Sequence, residues 1–349
     1  MVVERTLQSL LRWFAAARRR LPWREHASPW RTLVSELMLQ QTRVAVVAPR
    51  FESFLLRFPD PAAMAAATED EVLALWSGLG YYRRARYLHA AAREITARHG
   101  GSVPDDRAAL RALPGIGEYT AGAVLSIAFG QPEPVVDGNV ERVFARRFGI
   151  EGNVKRGPAR KRIRELAREA VQAGPPGQVN QALMELGALV CTPTGPKCIE
   201  CPIASDCRAL AGGNPEALPT LPPRKETVAV TLAVALAVRD GSVLLVRHPE
   251  GGFLAGTWGP PFVNLEGGEH HGEALARSAR EQGYHLTAGK LVGTFKHQIT
   301  HHRIAGRCFA AEIGEKLPAP DARLVPWADL ATVGLSSFAR KALGCIPSG

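Results

Sequence analysis

A stretch near the middle of the chain, residues 113–139, combines glycines that can bind an anion with a single carboxylate. Pro114 ends the helix predicted before it, and Gly115 and Gly117 permit a tight turn ahead of the next helix. Backbone N–H groups exposed at such a turn can hold a phosphate. Asp137 follows a proline-rich run and precedes a further helix, so a carboxylate is expected near this turn. An ordinary turn with Asp137 as a plain N-cap would give the same pattern.

A second carboxylate, Glu36, lies in a helix that Ser28 and Pro29 are predicted to start. Its helical neighbours include the apolar Leu33 and Leu37. A carboxyl beside such a stripe can lose its hydration, which raises its pKa and keeps it protonated as a general acid. The alternative is a partly exposed glutamate that bonds to the glutamine four residues later.

Four cysteines occur within seventeen positions, in the spacing Cys-x6-Cys-x2-Cys-x5-Cys. Such a set of thiolates suits zinc or a [4Fe–4S] cluster, and the spacing alone does not separate the two. Disulfides are disfavoured in the reducing compartment that we expect for this chain. The cysteines concerned are Cys191, Cys198, Cys201 and Cys207. Cys308 and Cys345 belong to no motif and are predicted to be core or incidental residues.

Length and charge indicate an intracellular protein of two domains, one of which binds a polyanion. A chain of 349 residues exceeds the usual size of a single core. It has no apolar run of transmembrane length, and residues 1–20 lack the pattern of a signal peptide. Residues 1–225 carry a formal charge of +9 and residues 226–349 only +1, so the first part is the expected nucleic-acid binder.

The hydrophobic pattern changes from helical to β-rich across a segment rich in glycine and proline. We therefore predict a first domain over residues 1–210, a linker over 211–225 and a second domain over 226–349. The first domain is predicted to be helical, with one uninterrupted helix over 29–57. The second is predicted to contain strands, among them 231–238, around a helix at 273–282.

The whole chain resembles the MutY-type adenine DNA glycosylases, members of the helix-hairpin-helix glycosylase superfamily that also contains endonuclease III. The cysteine spacing and LPGIG at 113–117 fit both branches. The resemblance also rests on PWR at 22–24, SELMLQQT at 35–42, GLGYYRRAR at 78–86, VDGNV at 136–140 and NQALMELGA at 180–188. It implies an all-α helix-hairpin-helix domain with one [4Fe–4S] cluster in the loop 191–207, followed by an α+β Nudix-like (MutT-like) domain.

Position 119 favours the adenine branch on chemical grounds. A glycosylase that also cleaves the strand needs an amine to form a Schiff base with the sugar, and endonuclease III has a lysine there. This chain has Tyr119, which cannot form that imine. The resemblance then implies that Glu36 protonates the adenine, that Asp137 stabilises the sugar cation and that Asn139 orients Asp137 or the attacking water.

Further positions are expected to contact DNA, because the target base must leave the duplex to be cleaved. The resemblance implies roles around the lesion for Gln40, Gln41 and Tyr81, with Tyr82 more plausible as a core residue. It implies adenine-binding roles for Glu185 and Arg24. Gly115 and Gly117 supply the predicted phosphate-binding turn. Arg83, Arg84 and Arg86 are expected phosphate contacts, although a solvated basic face would give the same pattern.

The second domain resembles a Nudix fold that has lost its catalytic acidic cluster. An active Nudix helix gathers divalent cations through several glutamates, whereas this chain has Arg-Glu-Gln-Gly at 280–283. We therefore expect a binding module. Thr300 and His301 match the loop that senses 8-oxoguanine in the family, and Ile299 replaces an aromatic residue there.

The sequence thus predicts a monomeric, cytoplasmic DNA glycosylase that removes adenine paired with 8-oxoguanine or guanine and does not act at membranes. An endonuclease III-like enzyme for oxidised pyrimidines is an alternative that Tyr119 opposes. A silent lesion binder is a second alternative, which the presence of both Glu36 and Asp137 opposes. A Nudix nucleotide hydrolase is a third, opposed by the depleted acidic helix.

Overall fold

The computed structural model describes residues 2–221, 226–249, 251–265, 269–315, 317 and 321–346. The chain divides into two compact units. The first comprises Met1–Ala66 and Tyr87–Pro223, and the second comprises Ala67–Arg86 and Arg224–Gly349. Residues 67–86 thus join the second unit, although they lie within the range predicted for the first domain.

α-Helices make up most of the regular structure of the described residues up to position 221. They are α1 (Val2–Ala17), α2 (Pro22–Glu25), α3 (Pro29–Leu39), α4 (Val44–Arg57), α5 (Pro61–Ala65), α6 (Glu69–Leu75), α7 (Arg83–Arg98), α8 (Arg107–Ala112), α9 (Glu118–Phe129), α10 (Gly138–Phe148), α11 (Gly157–Gln172), α12 (Pro176–Leu189) and α13 (Arg208–Ala211). In the first unit, α1, α10 and α12 share a core that contains Leu10, Phe144 and Leu186. Because these three helices pack together, they fix the residues at their ends.

The prediction of one helix over 29–57 is wrong. The chain leaves helical geometry after Leu39 and regains it at Val44. Gln41 between them has a φ of 56°, in the left-handed region that an α-helix cannot contain. The start of this segment is as predicted, since Ser28 caps α3 by accepting a hydrogen bond from the Arg31 N–H at 3.2 Å.

The second unit is built around a mixed β-sheet. Its strands are β1 (Val228–Arg239), β2 (Ser242–Arg247), β3 (Trp258–Gly259), β4 (Phe262–Asn264), β5 (Leu286–Ile299), β6 (His302–Ile313) and β7 (Ala322–Pro326). The main order is β3-β2-β1-β6-β5, with β4 beside β1 and β7 beside β2. The helices α14 (His271–Glu281) and α15 (Ser337–Leu343) cover the sheet. The predicted change from helices to strands is therefore confirmed.

Side chains of β1 alternate between two cores, as the period of a strand requires. Leu232, Val234 and Leu236 join the core that includes α15, whereas Ala233 and Ala235 join the core that includes α14. The sheet is thus buried on both faces, which explains the nearly continuous apolar run in its sequence.

Residues 67–86 are fastened to the second unit by specific hydrogen bonds. The Tyr82 hydroxyl donates to the Leu335 carbonyl at 2.9 Å. The Trp258 indole N–H donates to the Asp70 carboxylate at 3.0 Å. Tyr82 is buried, in agreement with the prediction of a core residue at that position.

Candidate active site

Asp137 caps the N-terminus of α10. Its Oδ1 accepts hydrogen bonds from the N–H groups of Asn139 and Val140 at 2.9 and 2.8 Å. Its Oδ2 accepts from the Asn139 side-chain amide at 2.8 Å. The capping role considered from the sequence is therefore real, and it holds the carboxylate in one orientation.

Glu36 is the buried acid of the site. Its side chain lies on α3 among core residues, and its Oε2 has no hydrogen-bond partner among the described residues. Burial raises the pKa of the Glu36 carboxyl to about 7, and the nearby Asp137 carboxylate adds to this rise while the Tyr119 hydroxyl opposes it. Glu36 is therefore substantially protonated at neutral pH. Burial and the two carboxylates raise the pKa of Tyr119 well above its usual value, so its hydroxyl keeps its proton.

Two cavities of the first unit meet at the side chains of Glu36, Tyr119 and Asp137. One is a cavity of about 380 Å³ whose walls also include Arg24, Asn139 and Glu185. The other, of about 570 Å³, is bounded by Gln40, Gln41, Gly115 and Gly117 as well. Glu36, Tyr119 and Asp137 line both. A group that enters from the hairpin side therefore meets the acid and the carboxylate at the entrance to the inner cavity.

Glu185 is held by two arginines on the wall of the inner cavity. Arg19 and Arg24 donate to its carboxylate at distances of 2.8 to 3.3 Å, and the Arg19 backbone N–H adds a bond of 2.8 Å. Burial alone would raise the pKa of Glu185, but these bonds outweigh it and lower that pKa to about 2. The sequence interpretation included Arg24 and missed Arg19, whose contact with Glu185 spans 166 residues.

Arg142 is a second residue that the sequence interpretation missed. Its Nη2 donates to the Asn139 side-chain oxygen at 2.8 Å and to the Gly187 carbonyl at 2.7 Å. Its Nε donates to the Cys191 carbonyl at 2.6 Å. Arg142 thus orients the amide that bonds Asp137 and joins it to the first cysteine of the loop. Arg142 lies three residues after Asn139 on α10, and residues three apart share a helix face, so this spacing could have indicated the contact from the sequence.

The hairpin between α8 and α9 has the geometry expected for an anion site. Gly115 has a φ of 74°, and a Cβ there would lie 2.5 Å from the Tyr87 Cβ, so only glycine fits. Gly117 is the N-cap of α9 and, as a glycine, has no side chain that could cap the helix. The first N–H groups of this twelve-residue helix lack partners within the helix, as at any helix N-terminus, and such groups can bind an anion.

Three of the residues predicted to contact DNA have left-handed backbone conformations. The φ angles are 56° at Gln41, 47° at Tyr81 and 53° at Thr300. Such angles cost energy for residues other than glycine, most of all for β-branched threonine, and they occur preferentially at functional sites. Tyr81 is also 42% exposed, unlike its buried neighbour Tyr82.

Arg84 was wrongly predicted to be a phosphate contact. Its side chain is buried, and its guanidinium donates to the backbone carbonyls of Leu79, Gly80 and Tyr81. Burial lowers the pKa of Arg84 to about 10. Arg84 therefore stabilises the turn that presents Tyr81.

In the second unit, Thr300 and His301 form the two-residue turn between β5 and β6. The Thr300 hydroxyl and the His301 Nδ1 are 3.4 Å apart and exposed. The first position of such a turn requires a positive φ and normally holds glycine or asparagine. On α14, Arg277 forms an ion pair with Glu269, and the described residues contain no cluster of three acidic, histidine or cysteine side chains that could hold a metal ion.

The four cysteines of the loop lie close enough to influence one another. Burial is the largest cause that raises the pKa of Cys201, to about 11, and the neighbouring thiols of Cys191, Cys198 and Cys207 add to this rise. All four are half-buried. The Arg146 guanidinium lies 3.5 Å from the Cys191 sulfur and opposes the rise of the pKa of Cys191.

Comparison with known proteins defines the class to which this fold and site belong. Residues 34–173 match the HhH-GPD superfamily of base excision DNA repair proteins, and residues 233–344 match the NUDIX domain family. The predicted fold class, a helix-hairpin-helix glycosylase domain followed by a Nudix-like domain, is thereby confirmed, and the chain is a DNA glycosylase. Adenine DNA glycosylase of Rattus norvegicus is 34% identical over 393 residues, which cover 96% of this chain and 76% of that protein. The chain belongs to the adenine DNA glycosylase family.

Solved structures of similar proteins support the same fold for the helical part of the chain. A thermostable thymine-DNA glycosylase is 30% identical with a TM-score of 0.55, covering 60% of this chain and 97% of that one. An endonuclease III–DNA complex is 25% identical with a TM-score of 0.50, covering 59% and 94%. DNA binding follows from the family. No helix in the described part of the chain is long and apolar enough to cross a membrane.

Proposed function

We propose that this protein removes adenine paired with 8-oxoguanine, or with guanine, by hydrolysing the N-glycosidic bond. The observation that carries the proposal is the pairing of a buried Glu36, whose pKa is raised to about 7, with the fixed carboxylate of Asp137. Cleavage of an N-glycosidic bond needs both a proton for the leaving base and a negative charge beside the sugar. Curated relatives that span nearly the whole chain carry the name adenine DNA glycosylase.

The reaction divides between the two carboxyl groups. Glu36 gives its proton to a ring nitrogen of adenine, and the electrons of the N-glycosidic bond leave with the base. Asp137 stabilises the positive charge that develops at C1′ of the sugar. Water then adds to C1′, and its proton returns to the Glu36 carboxylate, which restores the acid. Asn139 keeps Asp137 in place through its side-chain amide.

The enzyme is monofunctional in this proposal. Tyr119 occupies the hairpin position at which strand cleavage needs an amine, and its phenol cannot form an imine. No lysine is found among the described residues that line the two cavities. The Tyr119 hydroxyl instead lies 3.5 Å from the Met184 sulfur and close to Glu36. The product is therefore an abasic site in an intact strand.

Adenine is held in the inner cavity, where Arg24 and Glu185 form part of the wall. The Glu185 carboxylate already accepts five hydrogen bonds from Arg19 and Arg24, which fills its capacity. We therefore assign Glu185 a positioning role, in which it fixes Arg24 toward the base.

We assign DNA contacts to residues in each of the two units, taken separately. The amides at Gly115 and Gly117 bind a phosphate. Gln40 and Gln41 of the first unit contact the duplex around the flipped base, and Tyr81 of the second unit does so as well. The exposed Thr300 and the partly exposed His301 contact 8-oxoguanine. The unfavourable φ angles of Gln41, Tyr81 and Thr300 support these assignments.

Cys191, Cys198, Cys201 and Cys207 hold one [4Fe–4S] cluster in this proposal. Their thiol groups are near enough to influence one another's pKa, as four ligands of one site would be. Cysteine thiolates are the ligands that hold such a cluster, and the spacing of the four matches the family's cluster loop. The cluster would tie residues 191–207 together. Equal amounts of iron and sulfide, lost in Cys198→Ser, are expected; stoichiometric zinc would contradict this assignment.

The proposed partner is double-stranded DNA carrying the mispair, bound by a monomer in the cytoplasm and, in a bacterium, at the nucleoid. The test is a single-turnover assay on duplexes with adenine opposite 8-oxoguanine, guanine or thymine, beside a thymine-glycol duplex. Breaks that need alkali, at adenine opposite 8-oxoguanine or guanine, are expected. Breaks at thymine glycol without alkali would instead assign an endonuclease III-like activity.

A further inference from the structure

Two cysteines outside the four-cysteine loop lie side by side in the second unit. Cys308 belongs to β6, and Cys345 follows the end of α15. The Cys308 sulfur lies 3.9 Å from the Ala342 carbonyl oxygen. The Cys345 backbone N–H donates to the same oxygen at 3.0 Å. One carbonyl of α15 therefore contacts both cysteines, although 36 residues separate them in the chain.

A glycine creates the space that brings the two sulfurs together. Gly293 on β5 is the direct partner of Cys308 across the β5–β6 ladder. A Cβ on Gly293 would lie 2.7 Å from the Cys345 Cβ and 2.9 Å from its sulfur. Cβ atoms of such directly opposed residues are ~5 Å apart on the same face of the sheet. Cys345 thus occupies the place of the missing side chain, beside Cys308 and within reach of a disulfide.

We propose that Cys308 and Cys345 form a redox-active dithiol, a modification site that a peroxide converts to a disulfide. Cys345 is partly exposed and Cys308 is fully buried, so peroxide reaches Cys345 first. Its thiolate attacks hydrogen peroxide, giving a sulfenic acid and, after proton transfer, water. The Cys308 sulfur then attacks the Cys345 sulfur and its proton leaves with the hydroxyl as a second water. Two thiols are oxidised and one peroxide is reduced.

The chemical environment of the two sulfurs fits this order. Burial and the adjacent Cys345 thiol raise the pKa of the Cys308 thiol. Cys308 therefore stays protonated and reacts slowly with peroxide on its own. Its thiol is also within hydrogen-bonding reach of Cys345, which places it ready to resolve a sulfenic acid there.

The disulfide would fasten the C-terminal helix to the strand pair that carries Thr300 and His301. Phe338 on α15 already contacts Phe295 and His297 of β5, with ring centroids 5.1 and 5.9 Å apart. A covalent bond from the end of α15 to β6 removes freedom from the unfolded state and stabilises the second unit. The inference concerns this covalent site and is independent of the proposed lesion contacts.

Peptide mapping of the full-length protein tests the proposal. The protein is treated with hydrogen peroxide, unfolded in guanidinium chloride containing N-ethylmaleimide so that every remaining thiol is blocked, and digested with trypsin without reduction. Trypsin releases each cysteine on its own peptide, 308–316 and 342–349. We expect these two peptides to appear as one species, lighter than their sum by two hydrogen atoms, which dithiothreitol separates. In Cys345→Ser the linked species disappears and Cys308 stays alkylatable.

A matched variant tests the geometry itself. Gly293→Ala puts a methyl group where Cys345 lies, so the linked peptide should fall several-fold while the protein remains folded by circular dichroism. If Gly293→Ala does not fold, Cys345→Ser replaces it, and the thermal midpoint of unfolding is measured before and after oxidation. Oxidation should raise the thermal midpoint of unfolding of the second unit by roughly 5–15 °C in the wild type and leave that midpoint unchanged in Cys345→Ser. Three results would each overturn the proposal. The first is alkylation of both cysteines after peroxide treatment, and the second is a sulfinic acid at Cys345 while Cys308 stays a free thiol. The third is a disulfide between either cysteine and a cysteine of the loop.

Discussion

Glu36→Gln should make the protein more stable at alkaline pH while it abolishes excision. The carboxyl of Glu36 is buried, and its pKa is raised from 4.5 to about 7 by that burial. In the folded state the group therefore holds its proton to higher pH than in the unfolded chain. Ionisation of Glu36 in the folded protein costs free energy that an amide of the same shape does not require.

The magnitude follows from the shift in pKa. A shift of about 2.5 units at about 1.36 kcal/mol each corresponds to roughly 3 kcal/mol. Folding is favoured by the raised pKa at low pH, and this advantage is lost between pH 4.5 and 7. The free energy of unfolding of Glu36→Gln minus that of the wild type should therefore rise by roughly 3 kcal/mol from pH 4 to pH 8. This corresponds to a change on the order of 6–12 °C in the difference between their thermal midpoints.

The assay is thermal unfolding of wild type and Glu36→Gln at several pH values from 4 to 8. Glu151→Gln, at an exposed position of the same unit, is the matched control and should follow the wild type throughout. The single-turnover excision rate of the wild type should fall as pH rises past about 7, because the acid loses its proton. A stability difference between wild type and Glu36→Gln that does not change with pH would refute the reasoning.

Three other changes test the groups around the two carboxylates. Arg142→Gln removes the bond to the Asn139 amide, so the excision rate should fall about tenfold or more while duplex affinity, measured by titration, stays within about twofold. Glu185→Gln leaves Arg24 without its charge partner and should lower the unfolding free energy by roughly 2–4 kcal/mol in urea melts, with an unchanged melt contradicting the account. Thr300→Gly relieves a φ of 53° and should stabilise the second unit by roughly 1 kcal/mol while weakening discrimination for 8-oxoguanine over guanine, which competition between the two duplexes measures.

The sequence predicted those features that depend on local signals. Ser28 and Pro29 mark the start of α3, and the structure has the cap that they indicate. Gly115 permits the hairpin turn, and its φ of 74° requires glycine. The apolar run of β1 predicts a buried strand, and both of its faces are covered. Each of these depends on residues within a few positions of one another.

What the sequence did not predict depends on contacts between distant residues. The break after Leu39 has no glycine or proline signal; the Gln40 amide there donates to the Thr120 hydroxyl at 3.2 Å, a contact across 80 residues. Arg19 was missed for the same reason, since its partner Glu185 lies far along the chain. The neighbourhood of Cys308 and Cys345 follows from a ladder register that no local pattern encodes.

Arg84 shows how composition can mislead. It stands in a run of arginines that reads as a phosphate-binding face. Its side chain turns inward, where three backbone carbonyls accept its hydrogen bonds and the Trp76 ring lies 5.3 Å from its guanidinium carbon. The exposed residue of this turn is Tyr81. Burial, which sequence alone does not give for a single arginine, decides between the two roles.

The most direct test of the two-carboxylate account is a single-turnover measurement on a duplex with adenine opposite 8-oxoguanine, comparing wild type with Asp137→Asn. The asparagine keeps the shape of the N-cap and a side-chain oxygen for the Val140 N–H, so folding and duplex affinity should be retained. The account predicts that alkali-labile product falls by a factor of 100 or more, on the order of 3 kcal/mol of lost transition-state stabilisation. Excision by Asp137→Asn at the wild-type rate would contradict it.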